Sequence, residues 1–332
     1  METSIISKIK QSSFLVTGGA GFIGANLVKY LLENGARKVR VLDNFSTGFD
    51  SNIKFFKDFV SFEFIKGDIR DIEICKKACE GIEYVSHQAA LGSVPRSIDD
   101  PITTNAVNID GHLNMLYACK NSDVKRMVYA ASSSTYGDSK ILPKKEEEIG
   151  KPLSPYAVTK YVNELYSDVF YKTYGLETIG LRYFNVFGPL QSPRGAYAAV
   201  IPLFFEAVMK NTSPYINGDG EQTRDFTYVE NAVQANILAM LSENKNAINE
   251  VYNIAVGEQI SLNQLFNKIR AISGRDTLNP IYREQRKGDV RNSLADISKA
   301  RSILGYEPLI SVFEGIELTY KYWESTYENT NG

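Results

Sequence analysis

The chain has 332 residues, of which 23% are charged and 43% hydrophobic, and its 37 Lys and Arg against 39 Asp and Glu give a net charge of −2. This balance argues against a dedicated nucleic-acid binder, which carries a concentrated basic excess. The longest nearly apolar run, 196–205, is far shorter than the roughly 18 residues of a membrane span, and 1–13 lack a signal-peptide core. The three cysteines and two histidines show no metal-site spacing. We expect a cytoplasmic protein with one large domain or two closely packed ones, no bound metal, and neither membrane nor nucleic acid as a partner.

Apolar segments alternate with helical segments along the first half of the chain. This alternation predicts an α/β fold with a parallel, doubly wound sheet of the Rossmann type. The segments between the strands are long enough for helices, as at 102–119 and 155–174. The predicted strands are 14–16, 39–42, 62–65, 84–87, 127–130 and 178–181.

The pattern changes near Tyr183, where a second region is predicted to begin. Proline and glycine become frequent over 187–195 and again over 218–220. We predict a first domain at 1–182, which a returning segment near 224–255 joins, and a smaller mixed α/β domain formed mainly by 183–332. The elements predicted after Tyr183 include a strand at 226–228, a helix at 231–241 and a strand at 251–255.

A glycine-rich turn follows the first predicted strand. Residues 17–24 read TGGAGFIG, so Gly18, Gly21 and Gly24 recur every third position between a strand and a helix. Glycines there permit a tight turn and close approach of the backbone to a pyrophosphate, and the helix N-terminus offers free amide donors. The pattern predicts a dinucleotide site, and the alternative is a glycine turn without a ligand.

Two aspartates follow the second and third strands. Asp43 lies 19 residues after Gly24, a spacing typical of a carboxylate that binds the adenosine ribose hydroxyls. Because the same carboxylate would repel a 2′-phosphate, we expect NAD rather than NADP. Asp68 follows the third strand, and it either reaches the adenine edge or caps the next helix.

Tyr156 and Lys160 lie four residues apart on a predicted helix and therefore share one face. A cation beside a phenol favours the phenolate, so we expect the pKa of Tyr156 to fall below its usual value of about 10. The phenolate could then take a hydroxyl proton while a hydride leaves the same carbon. Ser132, Ser133 and Ser134 follow the fifth strand, where a serine can orient that proton transfer. An exposed helix pair and turn-forming serines are the alternative interpretation.

Together these features resemble the extended short-chain dehydrogenase/reductase family over about 14–322. The resemblance implies that Tyr156 is the base, that Lys160 also binds the nicotinamide ribose, and that Ser132 is the catalytic hydroxyl. It further implies tightly held NAD and a homodimer formed through helices near 105–119 and 155–174. The residues that it implies in cofactor binding are Gly18, Gly21, Phe22, Ile23, Gly24, Asp43, Asn44, Asp68, Ile69, Ala89, Asn108, Tyr156 and Lys160.

Motifs in the second half resemble those of enzymes that act on nucleotide sugars. The resemblance implies that Asn185 contacts the substrate pyrophosphate, that Arg224 and Arg286 bind phosphate oxygens, and that Asp289 binds the uridine ribose. Guanidinium groups suit multidentate phosphate recognition, although arginines are more often solvated surface charges.

Three further segments, 89–97, 132–137 and 195–202, are similar to bacterial UDP-N-acetylglucosamine 4-epimerases that favour acetylated sugars. Ser293 falls where, by this resemblance, epimerases restricted to UDP-glucose and UDP-galactose often carry a bulky tyrosine, so a serine leaves room for an acetamido group. The residues implied in substrate binding are Gly92, Ser132, Ser133, Asn185, Gln191, Ala199, Val200, Arg224, Arg286, Asp289 and Ser293.

The residues after Ser132 decide the expected reaction. Nucleotide-sugar dehydratases, which the chain also resembles, place an Asp-Glu pair where this chain has Ser133 and Ser134. Without a carboxylate to protonate a leaving hydroxyl, dehydration loses its acid. We therefore predict reversible epimerisation at C4 of a UDP-hexose, interconverting UDP-GlcNAc and UDP-GalNAc. The alternatives are a UDP-uronate (glucuronate or N-acetylglucosaminuronate) 4-epimerase, with Arg96 as a partner for the C6 carboxylate, and a non-catalytic NAD- or nucleotide-sugar-binding protein.

Overall fold

The computed structural model describes residues 3–193, 198–285 and 290–331. Its centre is a parallel sheet that contains seven of the described strands. The strands are β1 (Ser13–Thr17), β2 (Lys38–Asp43), β3 (Phe62–Lys66), β4 (Tyr84–His87), β5 (Arg126–Ser132), β6 (Glu177–Tyr183), β7 (Val186–Phe187), β8 (Tyr215–Asn217), β9 (Thr223–Arg224), β10 (Thr227–Tyr228), β11 (Glu250–Ile254), β12 (Ile260–Ser261) and β13 (Ile281–Arg283). The sheet order is β11-β6-β5-β4-β1-β2-β3, and the chain direction across the sheet reverses between β1 and β4.

Helices connect the strands and cover the sheet. Among the described residues, no helix combines the length and the apolar composition that crossing a membrane requires. The α-helices are α1 (Thr3–Gln11), α2 (Phe22–Glu33), α3 (Asp50–Lys54), α4 (Ile72–Cys79), α5 (Val94–Asp99), α6 (Pro101–Asn105), α7 (Gly111–Lys120), α8 (Pro155–Tyr174), α9 (Val200–Met209), α10 (Val229–Leu241), α11 (Leu262–Ile272) and α12 (Val312–Asn331). Shorter helical segments are π-helical at 106–110 and 300–304 and 3₁₀ at 133–136 and 245–247.

Successive residues of β1 pack on opposite faces of the sheet. Phe14 and Val16 belong to a hydrophobic cluster with Leu27 of α2, whereas Leu15 belongs to a second cluster with Met115 of α7. Both faces of a parallel sheet must be covered in this way, which is why the three central positions of β1 are apolar and buried. The expected doubly wound parallel sheet is confirmed.

A later part of the chain returns to the sheet. β11 pairs in parallel with β6, from Glu250 opposite Ile179 to Ile254 opposite Tyr183, and α10 packs against α2. A third hydrophobic cluster lies apart from the sheet, with members from α9, α11 and α12. The sheet therefore draws on both halves of the chain, and the third cluster supports the elements that face its carboxyl edge.

α8 spans the predicted 155–174 because its ends are encoded locally. The Ser154 hydroxyl accepts a hydrogen bond from the Ala157 amide at 3.2 Å, Pro155 occupies the first turn, and Gly175 ends the helix with a φ of +73°. The helix predicted at 102–119 is instead formed by α6, the π-helical 106–110 and α7. Such π-helical turns occur at functional sites, and this one contains Asn108.

Candidate active site

A groove of about 460 Å³, here called the central groove, opens at the carboxyl ends of β1, β4, β5 and β6. This is the place where a doubly wound sheet changes direction and binds its ligands. Its lining residues are Gly18, Gly21, Phe22, Ile23, Gly24, Asp43, Thr47, Gln88, Ala89, Ala90, Gly92, Ala130, Ala131, Ser132, Ser133, Tyr156, Lys160, Tyr183, Asn185 and Val186.

The turn after β1 has no room for a side chain at Gly18 or Gly24. A Cβ atom on Gly24 would lie 2.2 Å from the carbonyl oxygen of Gly18, and one on Gly18 would lie 2.7 Å from the Ala89 nitrogen. α2 begins at Phe22, and its N-cap Gly21 provides no side-chain acceptor. A tight glycine turn before an uncapped helix N-terminus fits a diphosphate, which the free amides can bind.

Asp43 ends β2 at the edge of the groove. Its carboxylate accepts hydrogen bonds from the backbone amides of Ala20 at 2.9 Å and Phe45 at 2.7 Å. Burial raises the pKa of this carboxyl, and the two amide donors oppose that effect. Each carboxylate oxygen has a second lone pair, so the group retains acceptor capacity for ribose hydroxyls.

A smaller end pocket adjoins the groove beyond Asp43, and it contains the predicted residues Asn44, Asp68 and Ile69. Asn44 donates a hydrogen bond to Asp68 at 2.9 Å, and the Arg70 guanidinium holds the pKa of Asp68 at about 2. The alternative that Asp68 caps the next helix is wrong, because Asp71 is the N-cap of α4.

The three predicted catalytic residues meet in the groove. The Lys160 ammonium lies 5.9 Å from the centre of the Tyr156 ring and donates a hydrogen bond to the carbonyl of Ala130 at 2.7 Å. The Ser132 hydroxyl lies close enough to the Tyr156 phenol to lower its pKa, and its oxygen accepts hydrogen bonds from the Ser134 amide at 3.1 Å and the Ser134 hydroxyl at 2.9 Å. The end of β5 and the first turns of α8 thus place a hydroxyl, a phenol and an ammonium together.

The expected low pKa of Tyr156 is wrong for this structure. Loss of solvent around the phenol raises its pKa, and the hydrogen bond with Ser132 opposes that shift. Burial also lowers the pKa of Lys160 to about 8. A nearby cation lowers the pKa of a phenol, but burial, which depends on the whole fold, has the larger effect here.

Asn108 is not brought to the wall of the groove. Its carboxamide oxygen accepts from the Leu91 amide at 2.8 Å, and its nitrogen donates to the Leu91 carbonyl and to the Thr159 hydroxyl, both at 3.1 Å. These bonds connect the segment before Gly92 to α8. Asn108 therefore positions the lining residues of the groove, and its contact with the cofactor stays a prediction.

A second cavity, of about 350 Å³, adjoins the groove at Ser132, Ser133 and Asn185. We call it the serine cavity. Among the described residues it is lined by no Asp or Glu. Arg96 is not among its lining residues. They are Val94, Pro95, Ile98, Ser132, Ser133, Ser134, Tyr136, Gly137, Lys144, Leu153, Ser154, Ala157, Phe184, Asn185, Arg224, Val290 and Ser293.

A third cavity, of about 430 Å³, adjoins the serine cavity at Asn185 and Arg224. This outer cavity contains the predicted Gln191, Ala199 and Val200 together with Tyr215 and Phe226. Asn185 lines all three cavities, and it has a φ of +38°, which asparagine tolerates better than most residues. The predicted Arg286 and Asp289 lie outside the described residues.

Sequence reasoning missed several lining residues. Lys144 is the clearest, because it is 5% exposed, lines the serine cavity and has a pKa lowered by burial. It lies in a loop between β5 and α8, where the sequence carries four other Lys and Glu residues in succession and gives no reason to choose one. Tyr183 was predicted only to mark the start of the second region, although it lines the central groove.

A model of the NAD dependent epimerase/dehydratase family matches residues 14–255. The chain belongs to this family. The crystal structure of UDP-glucose 4-epimerase from Thermotoga maritima with UDP-glucose is 40% identical, covers 95% of this chain and 99% of that one, and superposes with a TM-score of 0.88. UDP-N-acetylglucosamine 4-epimerase from Methanobrevibacter ruminantium, in complex with UDP-N-acetylmuramic acid, is also 40% identical with the same coverage and a TM-score of 0.89. UDP-glucuronate 4-epimerase from Thermodesulfobacterium geofontis is 33% identical over 95% of this chain and 97% of its own length.

Family membership confirms three expectations from the sequence. The chain is an NAD-dependent enzyme of the epimerase type, its fold is that of its epimerase relatives, and its cofactor is NAD. The three relatives are named for different sugars, so the substrate follows from the site and not from the names.

Proposed function

We propose that this protein is a UDP-sugar 4-epimerase that interconverts UDP-GlcNAc and UDP-GalNAc. The observation that carries the proposal is the serine cavity. It opens beside Ser132 and Tyr156, it has no described carboxylate in its wall, and it is bordered by the small side chain of Ser293.

The central groove fits NAD. The glycine turn and the start of α2 would hold the diphosphate, Asp43 the adenosine ribose, the end pocket the adenine, and Lys160 the nicotinamide ribose. When bound, NAD supplies a hydride acceptor at C4 of the sugar and returns the hydride later in the same turnover. The acidic Asp43 selects against a 2′-phosphate.

Tyr156 carries the proton of the reaction. Its phenolate takes the proton from the sugar O4 as C4 is oxidised, and the phenol gives that proton back when the C4 carbonyl is reduced. The Lys160 ammonium, 5.9 Å from the centre of the ring, would favour the phenolate in the complex and so oppose the burial that raises the pKa of the phenol. Ser132 lies next to the phenol, and in the complex its hydroxyl would orient the sugar O4 toward Tyr156.

Inversion at C4 requires the 4-keto sugar to turn over while the nucleotide stays bound. Asn185 and Arg224 lie where the serine cavity meets the outer cavity, so they would hold the diphosphate between sugar and uridine. The sugar would then contact mostly small hydroxyl side chains, which bind it weakly enough to let it rotate. Arg286 and Asp289 are proposed to complete the nucleotide site.

Ser293 supports the acetylated substrate. Its amide donates to the Thr223 carbonyl at 3.2 Å, which places its short side chain at the edge of the serine cavity. A residue of this size leaves volume for the acetamido group at C2. Gly92 and Ser133, at the junction with the central groove, would line the opposite side of the hexose.

A UDP-uronate 4-epimerase is the second candidate. Arg96 does not line the serine cavity, but the ammonium-bearing Lys144 does. The Lys144 ammonium donates a hydrogen bond to the Ser139 carbonyl and belongs to none of the ion pairs formed by described residues, so a carboxylate on the sugar would supply a counter-charge. This candidate predicts faster turnover of UDP-glucuronate than of UDP-GlcNAc.

The domain division and the homodimer are part of the same proposal. Residues 1–182 with the returning 224–255 would bind NAD, and 183–332 would mainly bind the UDP-sugar. α6 and α8 expose Ile102, Val158, Leu165 and Val169, and apolar residues on adjacent packed helices support a dimer built through them.

The deciding experiment incubates the purified protein, without added NAD, with UDP-GlcNAc, UDP-glucose or UDP-glucuronate. Chromatography then resolves each substrate from its C4 epimer. The proposal expects UDP-GalNAc to form fastest. Faster conversion of UDP-glucuronate would favour the second candidate, and no conversion of any sugar by NAD-loaded protein would contradict the epimerase assignment.

A further inference from the structure

Asp225 is a buried carboxylate that the proposed proton transfer does not use. It follows Arg224 directly and is 0% exposed. Burial raises its pKa to about 7, and hydrogen bonds from backbone amides oppose that shift. A buried carboxylate is costly unless its oxygens are well supplied with donors.

The carboxylate joins two segments that are distant in sequence. One oxygen accepts from the amides of Val256 at 3.1 Å and Gly257 at 3.3 Å. The other accepts from Gly257 at 3.1 Å and from Ala295 at 3.2 Å. Asp225 thus holds the loop after β11 and the chain two residues beyond Ser293 against each other.

The backbone of Asp225 fixes a third segment. Its carbonyl oxygen accepts a hydrogen bond from the Asn185 carboxamide at 2.9 Å. Asn185 and Arg224 line the junction of the serine and outer cavities, and Ser293 lines the serine cavity itself. Asp225 therefore bonds to Asn185, follows Arg224 in the chain, and holds the segment that carries Ser293.

Other hydrogen bonds also reach the Ser293 segment. The Ser293 amide donates to the Thr223 carbonyl at 3.2 Å and the Lys144 backbone amide donates to the Leu294 carbonyl at 2.8 Å, while the Asn253 carboxamide donates to the Asp296 carbonyl at 3.0 Å. The Asp225 carboxylate adds a charged acceptor from inside the protein. Removing it would leave the Ala295 amide without this partner, and buried donors without partners are expensive.

We propose that Asp225 is a positioning residue for sugar recognition, because its carboxylate sets the distance between Ser293 on one side of the serine cavity and Asn185 and Arg224 on the other. This inference rests on the proposed function, since it assigns the C2 substituent of the sugar to the Ser293 side. It predicts that substrate KM and sugar preference depend on Asp225 while NAD binding does not.

The test is Asp225→Asn, which keeps the size of the side chain. Both oxygens of Asp225 face amide donors, so either orientation of the new carboxamide turns an NH₂ group toward an N–H. We expect kcat/KM for UDP-GlcNAc to fall about tenfold or more, mainly through KM, as misplaced contacts in a pocket do. We expect a smaller loss for UDP-glucose and unchanged retention of NAD.

Asn231→Asp is the matched control. Asn231 is also 0% exposed, and its carboxamide donates to the Ile310 carbonyl at 2.7 Å and accepts from the Leu309 and Ile310 amides. It lines none of the three cavities described above. We expect this variant to lose thermal stability with KM and sugar preference unchanged.

Calorimetric binding of UDP and of UDP-GlcNAc to both variants separates this inference from the proposed function. Weaker UDP-GlcNAc binding by Asp225→Asn, with the sugar preference reduced, supports the inference even if turnover is slow. Wild-type KM values with lowered stability would overturn it, as would equal losses on both sugars. If wild type epimerises no acetylated sugar, the proposed function fails separately.

Should Asp225→Asn not fold, Asp225→Glu retains a carboxylate displaced by one methylene and is expected to shift KM in the same direction.

Discussion

The cofactor side and the sugar side of this site are built differently. The central groove is formed by turns that directly follow neighbouring parallel strands, so sheet pairing fixes its walls. The serine cavity takes its wall from α5, the end of β5, the segment after β6, β9 and the chain around Ser293. Those segments are held together by hydrogen bonds from single side chains such as Asp225, in addition to short backbone pairings.

This difference explains why the groove determines cofactor binding and the serine cavity determines the choice of sugar. A groove formed by a sheet with both faces buried has few ways to change without unfolding, which suits a cofactor that stays bound. A cavity whose wall depends on single side chains can change its ligand through one substitution. We therefore expect mutations of the groove to affect the chemistry for every sugar, and mutations of the cavity to affect some sugars more than others.

The largest expected effect tests the groove. Tyr156→Phe removes the phenol oxygen that carries the proton, while the ring keeps its packing. A positioned acid or base supplies about 10²- to 10⁴-fold, so we expect kcat to fall by that factor on all sugars with NAD retained. Tyr171→Phe, an exposed position on the same helix, is the control and should match wild type. Turnover of Tyr156→Phe within a few-fold of wild type would show that another group is the base.

The charge on Lys160 is expected to make kcat depend on pH. Its pKa is lowered to about 8 by burial, so the ammonium is charged below that pH and neutral above it. Because the charge favours the Tyr156 phenolate, kcat should decline as pH rises through about 8. Lys160→Met should be slower by about 10²-fold near neutral pH and should lack this decline. The control Lys172→Met, at an exposed i,i+4 pair, should keep it, and a decline that persisted in Lys160→Met would assign it to another group.

The same contrast explains what the sequence could predict. The glycine turn, Asp43, Ser132 and the Tyr156–Lys160 pair are local patterns attached to strands or helices, and the structure brings them into one groove. The pKa of Tyr156 depends on burial by the whole fold, which no local pattern contains. Lys144 and Asp225 were missed because their partners, Leu294 and Ala295, lie far along the chain.

Arg224→Ala tests the junction between the two regions. If Arg224 binds the diphosphate, its loss removes a charge-assisted contact worth about 1.5–3 kcal/mol. UDP affinity should therefore fall about tenfold to a hundredfold, with NAD content unchanged. Arg291→Ala is the control, because Arg291 is an exposed arginine that pairs with Asp219 and lines none of the three cavities. Unchanged UDP affinity in Arg224→Ala, measured by calorimetry, would remove Arg224 from the proposed site.

Ser293→Tyr has the smallest expected effect and is the sharpest test of the contrast, because it should separate sugars that differ only at C2. A phenol at the edge of the serine cavity occupies the space that an acetamido group needs, and overpacking costs about 1–3 kcal/mol or more. Turnover of UDP-GlcNAc and UDP-GalNAc should fall at least about tenfold, the equivalent of 1.4 kcal/mol. Turnover of UDP-glucose and UDP-galactose should persist, since a hydroxyl at C2 fits beside the ring. Ser293→Ala, which removes the hydroxyl and keeps the space, should retain the acetylated sugars, and Ser298→Tyr places the same ring at an exposed position. Equal loss of turnover on both sugar pairs would show that the wall of the serine cavity, like the central groove, affects every sugar alike. No loss on the acetylated pair would place Ser293 away from C2.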